Sequence, residues 1–120
     1  MFAEVKESLP VSGDDYDGQI IREIKACVLD LTRTSEIMLD GEVNITRTKT
    51  PATTVEPEKW TVTDASTITD ELVIAAIATW CNMRIGNPPN YDNLLRAYES
   101  LKGRMRMSRH YTEYDGVTTT

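Results

Sequence analysis

Only a few residues in this 120-residue chain have the types and spacing that chemistry requires. The single histidine, His110, lies beside Arg109 near the C-terminal end, where we do not expect a rigid general base or metal ligand. Asp14, Asp15 and Asp17 form an acidic cluster that superficially suggests a Ca²⁺ loop. The downstream glycine and the bidentate glutamate of such a loop are missing, so helix capping and solvation explain these acids better.

The other candidate side chains form no catalytic constellation. Cys27 and Cys81 fall in apolar positions of predicted helices, and two isolated cysteines make neither a metal site nor a disulfide framework, so we expect free buried thiols. Asp70 and Glu71 begin a helix, whose dipole accounts for them. No glycine-rich phosphate loop is present. The sequence therefore predicts an assembly or binding module, not an enzyme, with no metal and no cofactor.

Length and charge narrow the class of protein. A chain of 120 residues suits one domain, and its 40% apolar residues suffice for a modest core that oligomerisation could complete. The net charge of −6 argues against a simple duplex-DNA binder. The first half is acidic, whereas the segment from Arg96 to Arg109 is basic. Complementary ends favour contacts between copies or docking on a partner; solvated helix faces are the alternative.

The sequence predicts no association with a membrane. Residues 1–7 lack the apolar core of a signal peptide, and no apolar run approaches the length of a membrane span. We expect a reducing compartment, and the sequon that begins at Asn44 is expected to stay unused because nothing exports the chain.

Hydrophobic periodicity predicts four helices, at 2–8, about 16–38, 69–86 and about 91–107. Asp14 or Asp15 is the expected N-cap of the second helix, and Asp30 is placed on its polar side. Thr67 or Thr69 is the expected N-cap of the third helix. The threonine-rich stretch 32–35 is expected to loosen the last turns of the second helix.

The region 40–68 has a different pattern. Residues 43–48 and 59–63 alternate with β-branched side chains, and a connection rich in threonine and proline joins them. Two short strands, forming a hairpin or joined by an extended loop, are predicted. A two-stranded ribbon is marginal alone, so it must lie against the helices or pair with a neighbouring subunit.

The stretch 69–86 is predicted to be the central helix, against which 16–38 and 91–107 pack. Trp80 is expected in the core as its main filler, with an interface anchor as the alternative. For Arg84 we expect a salt bridge or packing over an aromatic ring, and a phosphate contact is the alternative.

The predicted fold class is mainly α: a small four-helix bundle, with one short and three longer helices, that carries the insertion 40–68. Residues 1–108 form the single helical domain, and 109–120 form a flexible C-terminal tail. Nine side chains are predicted to pack the core: Ile24, Val28, Leu31, Leu72, Ile77, Trp80, Leu94, Tyr98 and Leu101.

Three stretches follow one another in a recognisable order. The first stretch contains Val5-Lys6 and Leu9, followed by the acidic turn 13–17 and a long amphipathic helix. The second is the next helix, with Ala75-Ala76, Trp80 and Arg84. The third contains Tyr91-Asp92, Leu94, Tyr98 and Leu101-Lys102, followed by Met107-Ser108 and Tyr111-Thr112. In this order the chain resembles the head–tail connector (head-completion or adaptor) proteins of tailed phages. Cys81 stands where that family often has a second aromatic residue.

The resemblance implies a structural virion protein of phage assembly. Copies would form a homo-oligomeric ring, usually a dodecamer, beneath the portal protein at the head–tail interface, after synthesis in the host cytoplasm. The ring would extend the DNA channel, help retain the packaged genome and offer a platform to a stopper or tail-completion protein. Double-stranded DNA would pass without sequence-specific binding, which the acidic balance fits.

By analogy with that family, two groups of residues are assigned roles. The C-terminal segment is expected to dock on the portal through Arg104, Arg106, Arg109, Tyr111 and Tyr114. The insertion 40–68 is expected to face the channel or a neighbouring subunit through Arg47, Lys49, Thr53 and Thr54. A disordered terminus is the alternative for residues 109–120.

A small helical DNA-binding or regulatory domain is the alternative function. The third and fourth helices, joined by a short break, loosely imitate a helix-turn-helix. The break contains two prolines, however, and the fourth helix begins with Tyr91-Asp92-Asn93, not with a basic reading surface.

Overall fold

The computed structural model describes residues 1–85 and 88–107. Within them the chain is mainly helical, with four α-helices and one antiparallel pair of strands. In chain order these are α1 (Phe2–Glu7), α2 (Asp17–Leu29), a π-helical continuation of α2 (Asp30–Thr34), β1 (Ile45–Thr50), β2 (Lys59–Asp64), α3 (Glu71–Arg84) and α4 (Tyr91–Met107).

The central helix is α3, which contacts each of the other three helices. Its buried positions are Val73, Ala76, Ile77, Cys81 and Met83. Asp70 is its N-cap, because the Asp70 side chain accepts a hydrogen bond from the Leu72 N–H at 2.9 Å. The predicted threonine caps were therefore wrong. The Thr69 hydroxyl donates to Asp40, and the Thr67 hydroxyl accepts from the Glu42 N–H.

The second helix is shorter than its predicted range. It ends at Thr34, not near Met38, and its last turn is π-helical. The Thr32 hydroxyl donates back to the Val28 carbonyl, a bond that competes with regular helix continuation. Glu36 then adopts a left-handed φ of 54°, and Ile37 returns to the core. The threonine-rich stretch does loosen this helix end, as predicted.

The acidic turn before α2 does not cap it through a side chain. Tyr16 occupies the N-cap position and makes no side-chain cap bond, so the assignment to Asp14 or Asp15 was wrong. Lys6 of α1 lies between two of the acids instead, with its Nζ 2.8 Å from Asp17 Oδ1 and 3.6 Å from Asp14 Oδ1. The cluster thus ties α1 to the start of α2.

The strands β1 and β2 form a hairpin, here called the arm. Its register pairs Ile45 with Asp64 at the base and Thr50 with Lys59 at the far end. Below the strands the pairing continues toward the helices through bonds from the Ala65 N–H to the Asn44 carbonyl and from the Thr67 N–H to the Glu42 carbonyl. The predicted strands are confirmed, with β1 shifted two residues along the chain.

The arm gives the molecule an elongated shape. The described residues extend 67 × 36 × 20 Å, and their radius of gyration is 16.7 Å, against about 13–14 Å for a compact chain of this length. Every residue from Thr48 to Thr61 is exposed. Only the base of the arm joins the core, through Ile45 and, less deeply, Val62.

The nine predicted core residues all belong to the core or its margin. Ile24, Leu31, Ile77 and Tyr98 are buried. The others are half-buried and pack against that centre: Val28, Leu72, Trp80, Leu94 and Leu101. The largest fully buried side chain is that of Tyr98, so Trp80 is not the main filler.

Candidate functional site

A polar cluster lies between α2 and α4, where α2 becomes π-helical. The Tyr98 hydroxyl donates to Asp30 Oδ2 at 2.6 Å, and Lys102 Nζ lies 3.2 Å from the same oxygen. Cys27 Sγ lies 3.6 Å from the Tyr98 hydroxyl, and Lys102 also pairs with Glu99 at 3.3 Å. Tyr98 and Lys102 are one turn apart on α4, so both reach the same carboxylate.

The electrostatics of this cluster suit a structural role. Burial raises the pKa of the Cys27 thiol to about 12, and burial together with the neighbouring Cys27 and Asp30 raises the pKa of Tyr98. Neither group ionises near neutral pH, so neither supplies a nucleophile or a base. Burial also raises the pKa of Cys81. The cluster can therefore hold α4 on α2 through its buried polar contacts.

The sequence patterns missed two members of this cluster. Asp30 was placed on the polar side of the second helix, and Lys102 was counted in the basic segment that faces a partner. The residue Lys102 is only 8% exposed, so it is not available for docking. The spacing of Tyr98 and Lys102 was the one available signal, because their partner lies about 70 positions away in sequence.

Trp80 lies at the margin of the core and joins three elements. Its ring meets the Tyr98 ring edge to face, with centroids 5.3 Å apart, and its indole N–H donates to Glu23 Oε1 at 3.1 Å. The Arg84 guanidinium lies 4.6 Å from the Trp80 ring centroid. Packing of Arg84 over an aromatic ring is thus confirmed.

Two of the three basic residues of the arm, Arg47 and Lys49, contact other residues of the arm, and the third, Lys59, is exposed. The Arg47 guanidinium stacks 4.1 Å from the ring centroid of Trp60, and Lys49 pairs with Glu58 at 3.1 Å. Arg47 Nη1 also approaches the first turn of α2, since a Cβ added to Gly18 would lie 2.8 Å from it. Arg47 therefore braces the arm against the helices, while Lys49 lies exposed on the arm itself.

The end of the arm is a closed turn, here called the tip (residues 51–58). The Thr53 N–H donates to the Glu56 carbonyl at 2.8 Å, and the Thr53 hydroxyl accepts from the Glu56 N–H at 3.0 Å. Val55 is 87% exposed on this turn. Thr53 thus shapes the tip, and Thr54 lies exposed beside Val55.

An apolar groove opens at the base of the arm, between α2 and the segment 37–43. Its volume is about 670 Å³. Its lining includes Lys25, Val28, Leu29, Met38, Glu42 and Val43. Leu29 is 49% exposed on the helical side of the groove. Apolar side chains exposed together in a concave surface are typical of a binding site.

The structure describes two of the five residues assigned to portal docking. Arg104 and Arg106 lie exposed near the end of α4, and Arg106 Nε donates to the Ser35 carbonyl at 3.3 Å. Met107 is also exposed. Arg109, Tyr111 and Tyr114 lie outside the described residues, as do the whole predicted tail and His110.

Comparisons with protein-family models, with curated proteins and with solved structures found no significant match to this chain. Within residues 1–85 and 88–107, no group of three or more histidine, cysteine, aspartate or glutamate side chains could hold a metal ion. No helix in that part of the chain is long and apolar enough to cross a membrane.

Proposed function

We propose that this chain is a head–tail connector of a tailed phage, and that copies of it form a dodecameric ring beneath the portal protein. In this proposal the four helices act as a small bundle that forms the wall of the ring, and the arm reaches a neighbouring subunit or the channel. The ring extends the DNA channel, helps retain the packaged genome and receives a stopper or tail-completion protein. The chain has no enzymatic role, and it works in the virion after assembly in the host cytoplasm.

The observation that carries this proposal is the projecting arm. A two-stranded hairpin with both edges unpaired is marginal in isolation and leaves backbone groups free to pair. Here it stands away from the helices with every residue from Thr48 to Thr61 exposed. Such an element favours a role in contacts with other chains, as a ring subunit needs. The resemblance in the order of sequence motifs supplies the particular assembly.

The charge distribution supports passage of DNA without tight binding. The net charge is −6, and two of the three basic residues of the arm, Arg47 and Lys49, are stacked on Trp60 or paired with Glu58, while the third, Lys59, is exposed. Binding to duplex DNA depends on releasing counterions from phosphates through many unpaired cations. An acidic chain of this kind leaves the genome free to slide. The first turn of α4 contains Asp92, which also disfavours the alternative of a helix-turn-helix reader.

The test is assembly with the portal protein of the same phage. We expect weak self-association of the isolated chain and a ring when the portal is added, measured by light scattering coupled to gel filtration and by negative-stain microscopy. Deleting residues 109–120 should abolish portal binding while the far-ultraviolet circular dichroism stays unchanged. A chain that remains monomeric and ignores the portal would overturn the proposal.

Charge reversal tests the docking residues separately. Arg104→Glu together with Arg106→Glu should weaken portal binding at least about tenfold, because two exposed cations at the end of α4 are lost. Arg96→Glu, an exposed arginine earlier on the same helix, is the matched control and should bind normally. Equal binding by both variants would exclude the end of α4 from the docking surface.

A further inference from the structure

The groove at the base of the arm is an apolar surface that the described chain leaves open. Leu29, in the middle of its helical side, is half exposed, and Val28, Met38 and Val43 continue the apolar lining. Removing the exposed part of such a leucine side chain from water is favourable. A partner that brings an apolar side chain into the groove would therefore gain substantial stabilisation.

The tip of the arm presents such a side chain in a fixed position. Three hydrogen bonds made by Thr53, two with Glu56 and one from the Val55 N–H, close the turn, and Val55 is 87% exposed on it. A side chain held in place before binding loses less entropy when it docks than one on a flexible loop. The tip thus has the properties of an anchor, and the described part of the chain leaves its apolar side chain exposed.

Basic residues lie beside the groove, although its lining also contains Glu42, and acidic residues lie on the tip. Arg22, Lys25 and Arg33 lie exposed along the same side of the second helix as Leu29. Lys25, Leu29 and Arg33 follow Arg22 by three, seven and eleven residues, which is helical spacing. Residues 51–58 carry Glu56 and Glu58; Glu58 is already paired with Lys49, and the exposed Lys59 follows the tip directly. Among the described residues neither Lys25 nor Glu56 belongs to an ion pair. Glu56 at the tip and Lys25 at the groove rim are therefore opposite charges that are free to pair with each other.

The tip cannot reach the groove of its own chain. Five residue steps separate Ile45 at the base of β1 from Thr50 at its end, which corresponds to about 17 Å of strand. The groove lies at the base, lined by residues 37–43, and the tip lies beyond the far end of the strands. Contact between the two surfaces requires a second copy of the chain.

We propose that the tip of one copy docks in the groove of the next, with Val55 against Leu29 and Glu56 near Lys25. This inference rests on the proposed function, since it supplies the contact between neighbours in the ring. The two surfaces differ, so the contact is heterologous: each copy uses its tip on one side and its groove on the other. Repetition of such a contact builds a ring when the rotation between copies closes.

Cross-linking between two single-cysteine variants tests the contact directly. Val55→Cys chains and Leu29→Cys chains are mixed over a concentration series and treated with a short bis-maleimide. The native Cys27 and Cys81 are buried and should not react. We expect a covalent heterodimer in the mixture. Thr48→Cys, exposed midway along the arm, replaces Val55→Cys in the control and should give at least about tenfold less product.

Other occupants of the groove would give different products. A dominant homodimer of Val55→Cys alone would show that tips meet tips. An intramolecular link in a Leu29→Cys, Tyr114→Cys chain, in place of the heterodimer, would show that the C-terminal segment fills the groove. Absence of any heterodimer above the Thr48→Cys control, with chains monomeric throughout the series, would show that no contact forms. Each of these results overturns the inference.

Charge exchange adds a second measurement. Lys25→Glu should weaken self-association about tenfold, and Glu56→Lys in the same chains should restore most of it, because the attraction is re-formed with the charges exchanged. Failure of the second substitution to restore association would contradict the pairing.

Failure of this contact and failure of the connector role can be told apart. Rings on the portal without the Val55–Leu29 cross-link would leave the connector role standing and overturn the contact. Formation of the cross-link by a chain that does not bind the portal would overturn the connector role and leave the contact standing.

Discussion

The Tyr98 hydroxyl is the group through which α4 is fastened most directly to α2. Tyr98→Phe should lower the free energy of unfolding by about 1–3 kcal/mol, because Asp30 then loses its shortest hydrogen bond inside a partly buried site. Urea titration followed by circular dichroism measures the change. Tyr91→Phe, which removes an exposed hydroxyl at the start of the same helix, is the control and should change stability little. Equal effects would show that the Asp30 contact contributes nothing.

Two glycines should respond in opposite directions to the same substitution. A Cβ at Gly41 would lie 2.6 Å from the backbone carbonyl group of Thr67, so Gly41→Ala should destabilise the chain by about 1–3 kcal/mol. Gly103 lies within α4 with nothing within 4 Å of an added Cβ, and Gly103→Ala should stabilise by about 0.5–1 kcal/mol. Thermal unfolding of both variants measures the pair. A neutral Gly41→Ala would mean that the segments at the base of the arm can separate at little cost.

For single residues, the sequence predicted which apolar side chains are buried better than it predicted which polar side chains pair with each other. Helical periodicity identified Ile24, Leu31 and Ile77 as core residues because each recurs on one face of its own helix. Periodicity places charged residues toward solvent, so it put Asp30 and Lys102 outside. Their burial depends on each other and on Tyr98, and no local pattern encodes a partner on another helix.

Two ionised aspartates, Asp64 and Asp40, connect the segments at the base of the arm to neighbouring elements. Burial opposes ionisation of Asp64, but hydrogen bonds from the Phe2 and Ser66 N–H groups outweigh it and lower the pKa of Asp64. Burial likewise opposes ionisation of Asp40, and bonds from Thr69 and the Asp70 N–H lower its pKa. One carboxylate joins β2 to α1, and the other joins the segment before β1 to the start of α3.

These two shifts predict a loss of stability in acid. A carboxylate with a lowered folded-state pKa binds fewer protons in the native than in the unfolded chain, so stability rises with pH in that range. The contribution is complete above about pH 5 and is lost as the pH falls through the lowered pKa. Asp64→Asn should reduce stability at neutral pH and flatten the acid limb of a plot of unfolding free energy against pH.

The exposed Asp15 provides the matched control for that experiment. Asp15→Asn removes one carboxylate from the loop before α2 without touching the base of the arm. Its acid limb should follow that of the unmodified chain. An Asp64→Asn profile that also follows it would show that the bonds to Phe2 and Ser66 do not link protonation to folding.

Element types were predictable, and element ends were less so. The 3.6-residue period gave all four helices, and the alternation of β-branched residues gave both strands. The end of the second helix, at Thr34 when its π-helical continuation is included, was placed four residues too late because Met38 continues the apolar pattern. The chain reaches the same core at Ile37 by a π-helical turn and a left-handed residue, a route that periodicity does not distinguish from a longer helix.

For the molecule as a whole, the helices should fold without the outer part of the arm. Thr48 and Thr61 are cross-strand partners, so an Asn-Gly turn can replace residues 49–60 and still close the hairpin. We expect the shortened chain to keep its helical circular dichroism, with a midpoint of thermal unfolding within a few degrees of the full chain. It should form no ring with the portal, because the contact between neighbours that the arm is proposed to supply is lost. A shortened chain that unfolds would show that the outer arm supports the core.

The shape of the molecule was the least predictable feature. The sequence indicated two strands but left open whether they lie on the helices or stand away from them. That choice depends on how few apolar side chains the strands offer to the body: Ile45 is buried and Val62 half-buried, while the outer strand residues are polar or exposed. Weak attachment of this kind becomes visible only when the whole core is assembled.

The two tryptophans allow the arm and the helical body to be followed separately by fluorescence. Trp60, 40% exposed and stacked on Arg47, belongs to the arm, whereas Trp80 is half-buried with its N–H bonded to Glu23. Emission from Trp60 should lie at longer wavelength and be quenched readily by acrylamide, and emission from Trp80 should be protected. Single-tryptophan chains, made with Trp60→Phe or Trp80→Phe, would therefore act as built-in fluorescent reporters that follow motion of the arm and unfolding of the body in the same protein.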